Sequence, residues 1–484
     1  MEKRKEELKK GLKSRHMSMI AIGGTIGAGL FFTSGSAINQ AGPGGALVAY
    51  LVMGAIVYTM IIALIEMASF LPVAGAFKEY PKRFFDPAWA FANGWSYWFG
   101  CAITVTAELV ACSIIIKYWF PNTSSVLWAM FFLAILLVLN LFSVNHFGEG
   151  EYWLSGIKVI TIIIFLIVGL LMIFGLVQGN EFGFDNWTLD AGEAGKAPFV
   201  NGVGGVVGAF LVAGFSFSNT ELIGVSAAES ENPSEDVPKS VRNVFMVIFL
   251  FYVGCIFIIG TLIPFTDPNL LNTSVDNVAA SPFTIVFQAA GFKAAASVIN
   301  VVVLTALLTA GNSSLYTSSR MLFAMGQSGE GPKFFAKINK KKVPVRAIIA
   351  TAIIGGFSFF TSILGDGRIY QACYSLAGIT TFINWLTISI CHYRFRKAYI
   401  AQGKDLSALP YQAAMYPAAS IFGIIMSVIV IFGSNIWVFQ QETFSWFDFC
   451  TNYGTIPLFL ILYGGYKKKH HTKIIPLTEC DFKE

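Results

Sequence analysis

Long apolar runs separated by short polar breaks recur from one end of the chain to the other. A helix needs about 20 apolar residues to cross a hydrocarbon core about 30 Å thick. Twelve runs of that order occur, at 17–38, 44–71, 88–116, 124–145, 152–178, 200–221, 240–264, 281–310, 347–364, 369–391, 414–433 and 449–466. The pattern predicts an all-α integral membrane protein of twelve transmembrane helices. One membrane domain over 17–466 is then flanked by polar tails, 1–16 and 467–484.

Composition agrees. Of 484 residues, 55% are hydrophobic and 13% charged, where soluble domains carry about 25% charged residues. Mean hydropathy is +0.64. The first sixteen residues, MEKRKEELKKGLKSRH, are basic. The apolar run after them is too long for a signal-peptide core and lacks a clean A-x-A site, so it reads as a retained first span. The net charge of +5 describes topology rather than a nucleic-acid partner. With twelve spans both termini share one side, and that side collects 28 of the 33 Lys and Arg. The other side receives Lys117, Lys196, Lys293 and Arg368, and Lys158 lies inside a span. The positive-inside rule puts the rich side, with both tails, in the cytoplasm. The stretch 179–199 is the longest connection on the other side and is expected to be an ordered loop.

Cysteines 101, 112, 255, 373, 391 and 450 fall in predicted spans and Cys480 in the tail, with no CxxC or Cys/His spacing. Disulfides, a structural metal and other cofactors are not expected. No GxSxG, HExxH or GxxxxGK[ST] stands in the context an enzyme would need.

Two spans are interrupted. AIGGTIGAGLFF (21–32) places Gly23, Gly24, Gly27 and Gly29 within one short segment, although each glycine costs a helix interior about 1 kcal/mol against alanine. Two readings stand: close helix packing of the small-xxx-small kind, or unwound backbone lining a cavity. The sixth span begins NGVGGVVGAFLVAG and turns polar at FSFSNTE (215–221). Spans one and six correspond if spans 1–5 and 6–10 are inverted copies of one unit, and paired glycine-interrupted segments point to a transport site. Half-helix N-termini suit a carboxylate and freed carbonyls suit an ammonium, so two broken helices can hold an α-amino acid by backbone alone.

These segments resemble the amino acid–polyamine–organocation superfamily, within it the bacterial amino acid transporter family, and most closely its lysine-specific permeases. The resemblance rests on MIAIGGTIGAGLF (19–31), QAGPGGALVAY (40–50), EMASFLPVAGAF (66–77), DPAWAFANGWSYW (86–98), HFGEGEYWLSGIKVI (146–160) and GFSFSNTELIGVSAAESENP (214–233). IPFTDPNLL (263–271), SPFTIVFQAAG (281–291), LTAGNSSLYTSSRML (308–322) and HYRFRKAYIAQGKDLSALPY (392–411) narrow it to lysine permeases. It implies a LeuT-like five-plus-five inverted repeat with helices 1 and 6 broken. It also implies alternating access and proton-coupled uptake of a cationic amino acid, lysine first, across the bacterial inner membrane, with the proton as coupling ion.

The resemblance assigns Thr25, Ile26, Gly27, Ala28 and Gly29 to the substrate-holding segment, and Phe215, Ser216 and Ser218 to substrate-facing positions, Phe215 as a lid or a core aromatic. Glu221 is open to three roles: balancing a cationic substrate, carrying a proton, or capping broken backbone. Glu229 is a solvated loop residue or part of the cytoplasmic pathway. Glu108 contacts a cationic side chain or pairs with a polar neighbour, and Glu66 belongs to the scaffold. Lys158 either snorkels to the interface or reaches the unwound part of span one and titrates there. Tyr97, a further candidate for substrate binding, lies with Cys101 in WSYWFGC. The lysine permeases carry tryptophan where Cys101 stands, which opens the pocket to arginine, histidine or ornithine. The partners expected are an amino acid substrate and the lipid bilayer. An exchanger for one of these amino acids is the alternative within the class, and a sensor with secondary transport, the reading of a different class, would need a regulatory membrane partner.

Overall fold

A computed structural model describes residues 14–483 apart from 74, 142–143, 178–183, 223, 225–226, 228–229, 231, 269, 271–280, 292, 434–435 and 440–442. The described residues are mostly helical, and Asp190 and Lys196 form an isolated bridge. In chain order the helices are α1 (Ser14–Thr25), α2 (Ser34–Phe70), α3 (Ala76–Phe84), α4 (Pro87–Ile116) and α5 (Ser125–Asn140). Next come α6 (Val144–Ile173), α7 (Gly202–Ser216), α8 (Pro233–Leu262), α9 (Pro282–Ala289) and α10 (Lys293–Ser328). The last are α11 (Val345–Leu364), α12 (Asp366–Ala401), α13 (Ala418–Gly433), α14 (Trp446–Tyr453) and α15 (Thr455–His470). Six stretches among the described residues are long and apolar enough to cross a membrane, which makes this a multi-pass membrane protein.

In two places the apolar runs fold differently from their pattern. The run 281–310 is not one helix. Ser281 caps α9, which ends before Gly291 at φ +81°, and α10 begins at Lys293. Apolar residues on both sides of the turn hide it from hydropathy. The same helix then runs on to Ser328 through the polar string GNSSLYTSSR. Thr317, Ser318 and Ser319 donate to the carbonyls of Ser313, Leu315 and Tyr316 at 2.8, 3.2 and 2.8 Å. Hydroxyls satisfied by their own helix carry little polarity to a neighbour, so a polar string can lie buried.

Span one and span two meet inside α2, which turns at Gly42 (φ 75°, ψ 169°) before Pro43. A side chain at Gly42 would sit 2.6 Å from the Pro198 carbonyl. That carbonyl accepts from the Gly44 and Gly45 amides at 3.0 and 3.1 Å. The loop 184–199 is ordered as expected: Asn186 and Trp187 reach the Thr261 carbonyl and hydroxyl on α8 at 2.8 and 3.0 Å.

α4 lies at the centre, packed along α10 and α12, while α2 packs along α7 and α8. α6 is buried on one side only. It exposes Ile157, Ile160, Ile163, Ile164 and Ile167, whereas Glu151, Ser155 and Lys158 face inward. Polar residues inside and apolar residues outside is the arrangement lipid requires.

At the end of the bundle where α1 begins, Glu66 is buried against Arg396, with contacts of 2.6 and 2.8 Å, and accepts from the Ala413 amide at 2.5 Å. Its expected scaffold role therefore has a geometry: it ties α2 to α12. The C-terminal residues fold back on this end. Phe482 packs against Phe70, Phe84, Phe395 and Tyr399. Arg394 donates to the carbonyls of Phe84 and Ile475.

Asp86, which caps α4, joins the returning chain to this end. It accepts from Lys467, Thr472 and the Ala88 amide at 2.8, 3.2 and 2.8 Å. Burial alone would raise its carboxyl, but the hydrogen bonds from Lys467, the Ala88 amide and Thr472 outweigh it and hold the group below the ordinary carboxylate value. A carboxyl with a depressed native pKa contributes stability that is complete above pH about 4 and lost as the pH falls through the lower native value. Asp86→Asn is therefore expected to speed backbone hydrogen exchange over 472–483 at neutral pH. Wild type should approach the variant only below about pH 4. Equal exchange in the two proteins at pH 7 would remove Asp86 from this role.

Candidate functional site

α1 stops at Thr25, residues 26 and 27 leave the helix, and the chain resumes as a π-helical turn over Gly29–Thr33. Such a break frees carbonyls on one side and amides on the other. Lys158 of α6 takes the carbonyls, with Nζ 2.5 Å from Gly23 O and 3.1 Å from Ile26 O. Glu108 of α4 takes the amide: Ala28 N–H lies 3.2 and 3.3 Å from its two carboxyl oxygens. A cation at a helix C-terminus and an anion at an N-terminus are the placements the backbone dipoles favour. Within the π turn, Thr33 and Ser281 donate to the carbonyls of Gly29 and Phe31 at 2.7 and 2.6 Å.

α7 stops at Ser216, and residues 217–221 form turns with Asn219 at φ +68°. The two breaks cross. Asn219 Nδ2 donates to Gly24 O at 3.2 Å. Tyr252 Oη of α8 sits 2.9 Å from Thr25 O and 2.8 Å from Ser216 O, so its one proton serves either break. Ser216 donates to Val212 O at 3.0 Å, which leaves Tyr50 as donor in the 2.8 Å contact between the two hydroxyls. A side chain at Gly29 would meet Ser216 Cα at 2.3 Å, and one at Gly27 would meet Ala310 Cβ at 2.6 Å and Glu108 Oε1 at 2.7 Å. Gly23 and Gly24 lie as close to Ser155 and Leu222. Both readings of the glycines hold together, since close packing of the broken backbone is what puts its free groups within reach of Lys158, Glu108 and Tyr252.

The residues singled out from sequence divide into two groups. Thr25, Ile26, Gly27, Ala28, Gly29, Glu108, Lys158 and Ser216 meet at the crossing. Lys158 is buried, so it does not snorkel. Ser218 donates to Phe215 O at 2.7 Å, so its hydroxyl closes the second break. Glu221 forms a separate cluster with Trp385, whose Nε1–H donates to it at 3.2 Å, and with Tyr97 and Cys101 beside it. The Tyr97 ring packs edge-on against Phe77, and its hydroxyl is buried without a hydrogen-bond partner. Glu229 lies outside the described residues.

At the end of the bundle opposite the start of α1, a cavity of about 480 Å³ lies between α2, α7 and α12 and includes Asn39, Gln40, Gly208, Gln371 and Tyr374 in its lining. The Phe215 ring sits 6.0 Å from that of Tyr374, at the boundary between cavity and buried crossing.

Sequence reading missed Tyr50, Tyr252, Asn219 and Glu151. Glu151 is 2% exposed. It had a signal in the chain: Glu151, Ser155 and Lys158 are spaced four and three apart, which puts them on one helix face. The tyrosines had none, because one tyrosine in an apolar span looks like any core aromatic.

A family model described as "Amino acid permease" matches residues 16–475, and the chain belongs to that family. It is 45% identical over 476 residues to the lysine-specific permease LysP of Escherichia coli, covering 98% of this chain and 96% of that protein. LysP of Lactococcus lactis is 46% identical, covering 98% and 93%. The histidine permease HisP of the same organism is also 46% identical, covering 98% of each.

Two substitutions separate a required close approach from a tolerated one. Gly29→Ala drives a methyl group into backbone and is expected to destabilise the protein by about 1–3 kcal/mol, with loss of transport. Gly156→Ala on α6 meets nothing within 4 Å and should keep transport while stability holds or rises by up to about 1 kcal/mol. Melting in detergent and uptake in vesicles check the pair, and equal tolerance of the two changes would contradict the crossing geometry.

Proposed function

We propose that the protein is a proton-coupled permease that imports a cationic amino acid, lysine first, by alternating access. In this reading twelve spans form a LeuT-like five-plus-five inverted repeat, with both termini in the cytoplasm of a bacterium and the 480 Å³ cavity opening outward. The observation that carries it is the crossing of two broken helices whose freed carbonyls and amide are held by Lys158 and Glu108. An amino acid entering there finds the two kinds of backbone group its carboxylate and ammonium need. Its carboxylate would displace Glu108 from the Ala28 amide, freeing that acid for the substrate's cationic end. Thr25 to Gly29, Phe215, Ser216 and Ser218 would line the substrate, with Phe215 as the lid beneath the cavity. Glu221, held by Trp385, would gate the second break rather than read the side chain. Glu229 is assigned to the cytoplasmic half of the pathway.

Lys158 is the proposed coupling group. Charged, it holds both carbonyls of the first break; deprotonated, it releases them, so protonation and the shape of α1 change together. No cofactor is assigned beyond the proton.

Identity does not separate lysine from histidine, since the lysine and histidine permeases match at 45–46%. Cys101, small and beside Glu221, favours a second reading in which arginine, histidine or ornithine is carried. The test is uptake of labelled lysine into proteoliposomes under an inward proton gradient, with unlabelled competitors. Competition by lysine alone supports the first reading, and broad competition supports the second. Binding without flux in either direction would favour a membrane sensor.

Two variants test the roles. Lys158→Ala is expected to reduce accumulation against a gradient by at least about tenfold while counterflow stays measurable. Loss of binding with coupling intact in the residual activity would remove the coupling role. Glu108→Gln should weaken lysine far more than a neutral amino acid, and an equal loss for both would make it structural.

A further inference from the structure

Glu151 stands on α6 two turns before Lys158, buried, with Oε1 lacking any hydrogen-bond partner. A carboxylate oxygen left without a hydrogen bond in a membrane interior is costly and marks a functional group. Its position is specific. A side chain at Gly23 would come 2.7 Å from Glu151 Oε1, and the Gly23 carbonyl is the one that Lys158 holds at 2.5 Å. Glu151 and Lys158 thus touch the same residue of α1 from two sides. Their charges interact, and Glu108 adds a second acid to the same base. Among the described side chains, the groups facing the pair are Glu108 from α4 and the neutral Asn312 and Ser313 from α10, with Tyr252 of α8 on the adjoining Thr25 carbonyl; α1 meets this face of α6 with the Met19 and Gly23 carbonyls.

Two acids and one base buried together carry one net negative charge when all are ionised, so this cluster becomes neutral on taking up one proton. Lys158 and Glu108 are engaged by backbone; Glu151 is the member with a free oxygen. α1 and α6 run side by side, with Ser155 Oγ donating to Met19 O at 3.0 Å, so Glu151 is nearer than Lys158 to the end of the bundle where both helices begin.

We propose that Glu151 is the proton acceptor paired with Lys158, carrying the coupling proton from the first break toward the N-terminal end of the bundle. An N–H bond of the Lys158 ammonium breaks and an O–H bond of Glu151 forms. The proton then passes to water when that end opens, leaving the carboxylate ready for the next cycle. The inference rests on proton-coupled transport as proposed above.

The experiment uses full-length protein in proteoliposomes and compares gradient-driven lysine accumulation with lysine exchange while the internal pH is varied. Wild type tests the underlying reading by itself: accumulation that ignores the proton gradient ends that reading before any variant is examined. Given a coupled wild type, Glu151→Gln should lower the ratio of accumulation to exchange by at least about tenfold and flatten its dependence on internal pH. Glu151→Asp should restore both in part. A Glu151→Gln profile superimposable on wild type overturns the proposal. So does a parallel loss of accumulation and exchange that Glu151→Asp fails to reverse. Should Glu151→Gln not assemble, Glu151→Asp decides alone: a displaced internal-pH profile supports the proton role, and an unmoved one removes it.

Discussion

The ammonium group of Lys158, lodged on the carbonyls of Gly23 and Ile26, is the contact on which the rest depends. A helix broken inside a membrane leaves backbone groups that lipid cannot satisfy. A lysine at the same depth costs about 2.5–3.5 kcal/mol on insertion scales. Each is untenable alone. A hydrogen bond to a charged group contributes about 1.5–3 kcal/mol, so the two carbonyls are enough to offset the lysine, and the lysine ends the exposure of the carbonyls. Glu108 completes the pairing at the amide side of the break.

The same constraint explains the polar residues elsewhere in the interior. Tyr252 bridges the two breaks, Asn219 ties the second to the first, and Tyr50 supports Ser216. These groups make the crossing a hydrogen-bonded unit that can exchange its partners without meeting lipid. Glu66 with Arg396, and Asp86 with Lys467, fasten the helices at one end of the bundle, so α1 and α7 carry the discontinuities while their surroundings stay paired.

Much of this was legible in the chain. Apolar runs announced a helical membrane protein, and the glycines at 23, 24, 27 and 29 fitted either close helix packing or a break, a choice that only the matching interruption at 215–221 tilted toward a break. Lys158 stood out as an isolated charge within a span. What stayed hidden had physical reasons. The turn at Gly291 lies between two apolar stretches, and the buried hydroxyls of α10 satisfy their own helix, so hydropathy misplaced that element. Glu221 and Glu108 looked alike in sequence, each an acid in an apolar span, and only packing against Trp385 or against the Ala28 amide distinguishes them. Tyr50 and Tyr252 act through hydroxyl placement, which composition does not encode.

The most direct measurement of the central claim is backbone hydrogen exchange over residues 19–33 in wild type and in Lys158→Ala, both in the same detergent without substrate. If Lys158 holds the first break, its loss should raise exchange across the end of α1 and the π turn by about tenfold or more, as expected for removing a contact worth at least about 1.4 kcal/mol, while α4 and α12 keep their protection. Exchange unchanged over 19–33 would contradict the account, since the break would then be held without its lysine.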